Sequence, residues 1–383
     1  MIKRDNNKLL LLFSSVVTSG VNFLIFVVVP LYIGVDKLST FTKDNYIGGI
    51  YLFGIAGSVS TIASLIINRY GIKALSYYIK LSVSSIIIIW ILFYNLIHSY
   101  HAYICLIASI VLHINGFLLT NLILLGAARK VISIQIIQPA IFLLLILFNE
   151  MQYNSEWFFY YLISTLISLG FFLKATNFNM LGEILKRDEN SFKMTQLLFP
   201  MLAGISFPLI FQFENILVGE LTSLELGRFV VLQKLYSSVA ISLFGSYIVY
   251  VISKESDCTT GVSKKLLFLT PLTSVIAVSV LVLCINYIIK IEPYDVTTNL
   301  LTILLSYLFS MAMFINFYMN LCNSKVNLLR IIVSSSGYFL IFIIFKPVTM
   351  SQVLLISICF YLLYNSMFLL KVFGEYNDNR LDC

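Results

Sequence analysis

Apolar residues run along this chain in unbroken stretches of about 20, separated by short breaks that hold most of the charge. The stretches are continuous rather than alternating, so they predict helices. Each is long enough to cross ~30 Å of hydrocarbon at ~1.5 Å per residue. Twelve spans are expected, near residues 9–33, 46–67, 77–97, 102–126, 131–149, 157–175, 195–219, 227–252, 266–289, 297–319, 328–345 and 351–373. Backbone in lipid must satisfy its own hydrogen bonds, which leaves helices and closed barrels. The pattern therefore predicts an all-α polytopic membrane protein with about twelve transmembrane helices.

The polar breaks organise these spans. The longest internal one, Thr176 to Lys193, carries Glu183, Lys186, Arg187, Asp188 and Glu189 and divides the spans six and six. It predicts an N-terminal six-helix lobe at 1–175, a cytoplasmic linker at 176–193 and a C-terminal six-helix lobe at 194–383. An offset of 185 sets Lys8 on Lys193 and Gly34 on Gly219. With a shorter second loop, Gly49-Ile50-Tyr51 falls on Gly227-Arg228-Phe229. Two halves that both start on one side read as parallel repeats, an arrangement suited to alternating access around a central cavity.

Composition removes alternatives. The 383 residues are 59% hydrophobic and 11% charged, with a mean hydropathy of +0.94. An ordinary soluble domain carries about 25% charged residues. Most of the 25 Lys and Arg fall in connections on one side, among them Lys3, Arg4, Lys8, Arg129, Lys130, Lys264, Lys265 and Arg330. That asymmetry places both termini in the cytoplasm. The net charge of +7 is thus a topology signal and a source of headgroup contacts, with no nucleic-acid partner implied. The first span follows Lys3-Arg4 but is too long for a signal peptide and lacks a small-residue cleavage site, so it is expected to remain as an anchor. None of the six cysteines falls in an outside loop, and no disulfide framework is expected.

The expected outside loops are short and leave no room for an extramembrane catalytic domain. There is no G-x-x-x-x-G-K-[ST] pattern, and the three histidines, His98, His101 and His113, form no H-E-x-x-H. No catalytic residue, metal or cofactor is expected.

Candidate chemistry therefore lies within the spans. Glu214 is the one carboxylate inside a long apolar stretch, and Arg228 and Lys234 follow across a short turn. Ionisable groups in hydrocarbon cost at least ~2.5 kcal/mol each, so they mark either a pathway or a paired structural site. Lys234, Ser238, Ser242 and Gly245 share one helical face, which is expected to point inward. Lys234 also lies at a depth similar to that of Glu214 on the neighbouring helix. One reading is an ion pair locking two helices. The other is a cation for an anionic headgroup, with Glu214 setting its charge or carrying a proton.

Elsewhere, His113 shares a broad face with Phe117, Thr120 and Asn121, and reads either as a relay or as a hydrogen-bonded packing residue. Gln135, Gln138 and Pro139 combine hydrogen-bonding groups with an expected kink. The second span's Gly54/Ser58 and Gly57/Thr61 spacing reads as close helix packing. Asn22 on the first span is a further polar candidate.

The segment Glu225-x-Gly227-x-Phe229 with Lys234-Leu235, and its first-half counterpart Asp44-Asn45-Tyr46-Ile47-Gly48-Gly49-Ile50-Tyr51, resembles the polysaccharide transporter family. That family includes the O-antigen flippases called Wzx, within the MATE-like multidrug/oligosaccharidyl-lipid/polysaccharide superfamily. Many relatives carry aspartate where this chain has Glu214. The resemblance implies a flippase moving an undecaprenyl-diphosphate-linked oligosaccharide, an O-antigen or capsule repeat unit, across a bacterial inner membrane. It further implies a polysaccharide polymerase and a chain-length regulator as partners, beside the lipid bilayer. Arg228 and Lys234 would hold the diphosphate, and Asn22, His113, Asn121 and Gln138 the sugars. A multidrug or metabolite antiporter coupled through Glu214 is the alternative. A membrane polymerase or acyltransferase is the less favoured reading, since this chain lacks the large arginine-bearing outside loop of the first and has no acid near His98 or His101 for the second.

Overall fold

The computed structural model describes residues 99–124, 127–148, 157–176, 198–204, 221–244, 264–288, 294–322 and 324–377, with scattered positions at 13, 17 and among 80–91 and 206–218. Apart from positions 13 and 17, the expected first two spans lie outside the described residues, as do Asn22 and the linker after Thr176. Among the described residues, eight helices have described bounds, in chain order: α1 Ser99–Leu124, α2 Ala128–Phe148, α3 Trp157–Ala175, α4 Ser223–Phe244, α5 Lys264–Ile288, α6 Val296–Cys322, α7 Ser324–Phe345 and α8 Met350–Asn377. Each overlies an expected span, and no strand occurs among the described residues. By length and composition, Arg129–Phe148, Val296–Asn320, Lys325–Phe345 and Met350–Leu369 are each able to cross a membrane.

Local side chains set where these helices begin. Thr222 Oγ1 accepts the Glu225 amide at 3.3 Å ahead of α4, and Asp295 Oδ2 accepts the Thr298 amide at 3.3 Å ahead of α6. At α8 the capping is reciprocal. The Gln352 amide donates to Thr349 Oγ1 at 3.4 Å, while Gln352 Oε1 accepts the amides of Thr349 and Val348 at 3.2 and 2.9 Å. This is the T-x-x-Q capping box, which satisfies amides that a helix start leaves open. At the far end of α3, Lys130 Nζ donates to the Ala175 carbonyl at 3.4 Å.

Packing centres on α6, which lies against α4, α5, α7 and α8, while α3 packs on both α1 and α2. Of the α6 core stretch 67% is buried, against 28% for α7, which turns one side outward. Small hydroxyl residues make this possible. Thr298, Thr302, Ser306 and Ser310 recur every fourth position of α6, all buried. Thr302 and Ser306 return their protons to the helix's own carbonyls at 2.8 and 2.7 Å, so neighbouring backbones approach closely without an orphaned donor. Ser310 instead reaches Ser274 of α5 at 2.8 Å, and Thr298 meets Ser351 of α8 at 2.9 Å. Exposed Leu329, Ile332, Leu340 and Ile343 form the outward side of α7. In α2, Pro139 is accommodated inside a helix that runs on to Phe148.

The turn from α7 to α8 carries the one described non-glycine residue with positive φ, Lys346 at 40°. Its amide caps α7 through the Phe342 carbonyl at 3.0 Å. Left-handed backbone costs a non-glycine residue about 1 kcal/mol, and the freer unfolded chain of a glycine variant returns about half of that. Lys346→Gly is therefore expected to stabilise the protein by about 0.5 kcal/mol. A small rise in Tm in detergent checks it, and a fall would mean that the lysine side chain contributes more than the backbone relief.

Candidate functional site

Glu214 is helical, 3% exposed, and held by four donors from three helices. Gln233 Nε2 and Tyr236 Oη of α4 donate to Oε2 at 2.9 and 3.5 Å. Tyr338 Oη of α7 donates to Oε1 at 3.2 Å, and Ser357 Oγ of α8 contacts the same oxygen. Gln233 and Tyr236 stand three apart on α4 and so share a face. Lys234 is turned about 100° from Gln233 around the helix and is not among the groups that hold the carboxylate. The expected Glu214–Lys234 pairing matches in depth but fails in helical phase. Neutral donors surround the acid instead.

Ser357 adds a constraint. Its single hydroxyl proton has two acceptors, Glu214 Oε1 and the Val353 carbonyl at 3.0 Å. It serves only one at a time. When the proton lies on Val353, the contact with Glu214 is completed by a proton on the acid, donated to Ser357 Oγ. The cage thus accommodates the carboxylate and the carboxylic acid without moving a backbone.

Around α4 the other two candidates part company. The Arg228 guanidinium lies over the Tyr294 ring at 5.0 Å, and Tyr294 Oη donates to the Arg228 carbonyl at 3.4 Å. Such a cation–π contact contributes about 0.5 to 2 kcal/mol. Tyr294 precedes α6, outside the helices, and its burial raises the phenol above its ordinary value while Arg228 opposes that shift. Lys234 lies six residues on, ~9 Å deeper along α4. From Phe229 to Ser237 every residue is buried except Lys234, which is half-buried. The expectation of an inward face at Lys234 therefore changes: α4 is enclosed on nearly all sides, and Lys234 occupies its partly open position.

The remaining candidates fall elsewhere. His113 is buried in α1, where Asn115 Nδ2 donates to the Thr165 carbonyl of α3 at 3.0 Å two residues on. Gln138 of α2 is hydrogen-bonded to Tyr161 of α3, whose ring meets Phe142 edge-on at 5.4 Å. Asn121 lies in the last turn of α1. Tyr236, Tyr338 and Ser357 are functional candidates that the sequence reading passed over. Gln233, polar and beside Lys234 in an apolar run, was the available signal for the α4 half of the cage.

No family model matches the sequence, and no curated protein matches it. Solved structures do match. The crystal structure of a MATE protein in complex with MaL6 superposes with a TM-score of 0.62, covering 94% of each chain at 11% identity. The chain has the MATE fold. A MATE protein in complex with Br-NRF gives 0.54 at 12% identity over 95% of this chain and 94% of that one. An outward-facing multidrug resistance MATE family transporter of the MOP superfamily gives 0.55 at 11% identity over 94% and 93%. At such identities the MATE likeness is one of fold.

Proposed function

We propose that this chain is a membrane transporter of the MATE fold that flips an undecaprenyl-diphosphate-linked oligosaccharide across the bacterial inner membrane by alternating access of two six-helix lobes. The observation that carries the substrate class is Lys234, the half-buried cation on an otherwise enclosed α4. A half-buried cation within an apolar bundle is suited to an anionic group such as a diphosphate. Arg228, stacked on Tyr294 toward the start of the same helix, is the second cation for that role. His113, Gln138, Asn121 and Asn22 are proposed sugar contacts. A polysaccharide polymerase and a chain-length regulator are the proposed partners, and both termini are proposed to be cytoplasmic.

A second reading has its own support. The two-acceptor position of Ser357 suits a Glu214 that takes up and releases a proton, as an antiporter of drugs or metabolites requires. The two readings separate on deletion of the gene. The flippase reading expects loss of surface polysaccharide with single lipid-linked repeat units accumulating on the cytoplasmic leaflet. Unchanged polysaccharide together with raised intracellular retention of a cationic dye would overturn it in favour of antiport.

A further inference from the structure

Arg330 lies in the second turn of α7, 6% exposed, and only part of its hydrogen-bonding capacity is used. Nη2 donates to the Tyr364 carbonyl of α8 at 2.6 Å, and the guanidinium lies over the rings of Tyr364 at 4.8 Å and Phe368 at 5.3 Å. Nε and Nη1 are buried with no partner. Among the described residues no carboxylate pairs with this arginine. A buried charge without a counter-ion is among the most costly arrangements in a protein interior, and it persists where something else supplies the opposite charge.

The surroundings are polar and already satisfied. Asn327, one turn before Arg330, donates through Nδ2 to Asn316 Oδ1 and Asn320 Oδ1 of α6, each at 2.8 Å. Its own Oδ1 accepts Tyr364 Oη at 2.8 Å. This network fixes α6, α7 and α8 around Arg330 while leaving the arginine's spare N–H groups unused. On α8, Tyr364 follows Ser357 by seven residues, so the cluster sits ~10 Å beyond the Glu214 cage, away from Arg228.

We propose that Arg330, framed by Asn327 and Tyr364, is an anion site that takes a phosphate or diphosphate group. A guanidinium binds phosphate oxygens through its N–H groups, and Nε and Nη1, on either side of Nη2, each keep an N–H to offer one. Tyr364 and Phe368 lie over the guanidinium, so the anion is taken by its in-plane N–H groups rather than at its faces. The site lies apart from Arg228 and Lys234 and does not rest on the flippase reading, because its test measures binding rather than transport.

Full-length protein in phosphatidylcholine nanodiscs, titrated with inorganic pyrophosphate, is expected to gain several degrees in Tm as the anion saturates the folded state. Arg330→Met removes an uncompensated buried charge at similar length, so it is expected to keep its Tm without ligand and to lose the pyrophosphate shift. Arg330→Gln is a second neutral variant should the first misfold, with the same expected loss. In nanodiscs containing phosphatidic acid, a raised Tm to which pyrophosphate adds little assigns the site to a lipid headgroup, and a full pyrophosphate shift assigns it to a free phosphate. No shift in the wild type with either source, or a shift retained in both neutral Arg330 variants, would overturn the proposal.

Discussion

Glu214→Ala is expected to destabilise the protein by on the order of 3 kcal/mol, whereas Glu214→Gln is expected to leave the fold intact and to flatten the pH dependence of transport. Alanine removes the common acceptor of Gln233, Tyr236, Tyr338 and Ser357. A buried donor left unsatisfied costs about 1 to 3 kcal/mol, but Ser357 retains the Val353 carbonyl, so the four losses do not simply add. Glutamine keeps an acceptor oxygen and offers an N–H toward Ser357, reproducing the shape and bonding of the protonated acid. What it cannot do is exchange a proton. Thermal unfolding of both variants, with flux in proteoliposomes measured across pH, checks the pair of expectations. A glutamine variant whose pH profile matches the wild type would make the cage a purely structural clasp.

What the sequence revealed and what it withheld divide along the range of the interactions. The limits of α3 coincide with the expected 157–175, because the apolar run itself ends at Lys174 and Asn177. The start of α8 is written locally in Thr349-Met350-Ser351-Gln352. The start of α4 was set four residues late, since Glu225 reads as a loop acid until Thr222 is seen to cap its amide. The cage is harder. Its α4 half spans 19 and 22 residues from Glu214, but Tyr338 and Ser357 lie 124 and 143 residues away, and no periodicity joins them to an acid on another helix. Depth along a helix is legible from counting, which brought Lys234 level with Glu214. Azimuth depends on how α4 is rotated against its neighbours, which favours Gln233. Arg330 reads as one more basic residue on the side rich in Lys and Arg, and its burial depends on Tyr364 and Phe368 arriving from α8.

Lys234→Glu is expected to lower surface polysaccharide more than tenfold while the protein still inserts in the membrane. A carboxylate in this half-buried position exchanges attraction for repulsion of a diphosphate. At a separation of ~4 Å and an effective dielectric of about 20, one unit charge interacts by about 4 kcal/mol, and only ~1.4 kcal/mol is needed for a tenfold loss of affinity. The same substitution sets a negative charge next to Gln233, one of the donors to Glu214, so the structural part of its effect is measured separately. Lys234→Met provides that control, since it removes the attraction without adding repulsion and leaves the cage untouched. If the lysine binds the anion, methionine gives an intermediate loss and glutamate a near-complete one, at equal protein levels by fluorescence size-exclusion. Normal polysaccharide with glutamate at this position would remove Lys234 from the diphosphate and leave Arg228, over the Tyr294 ring, as the α4 cation that the flippase reading must use.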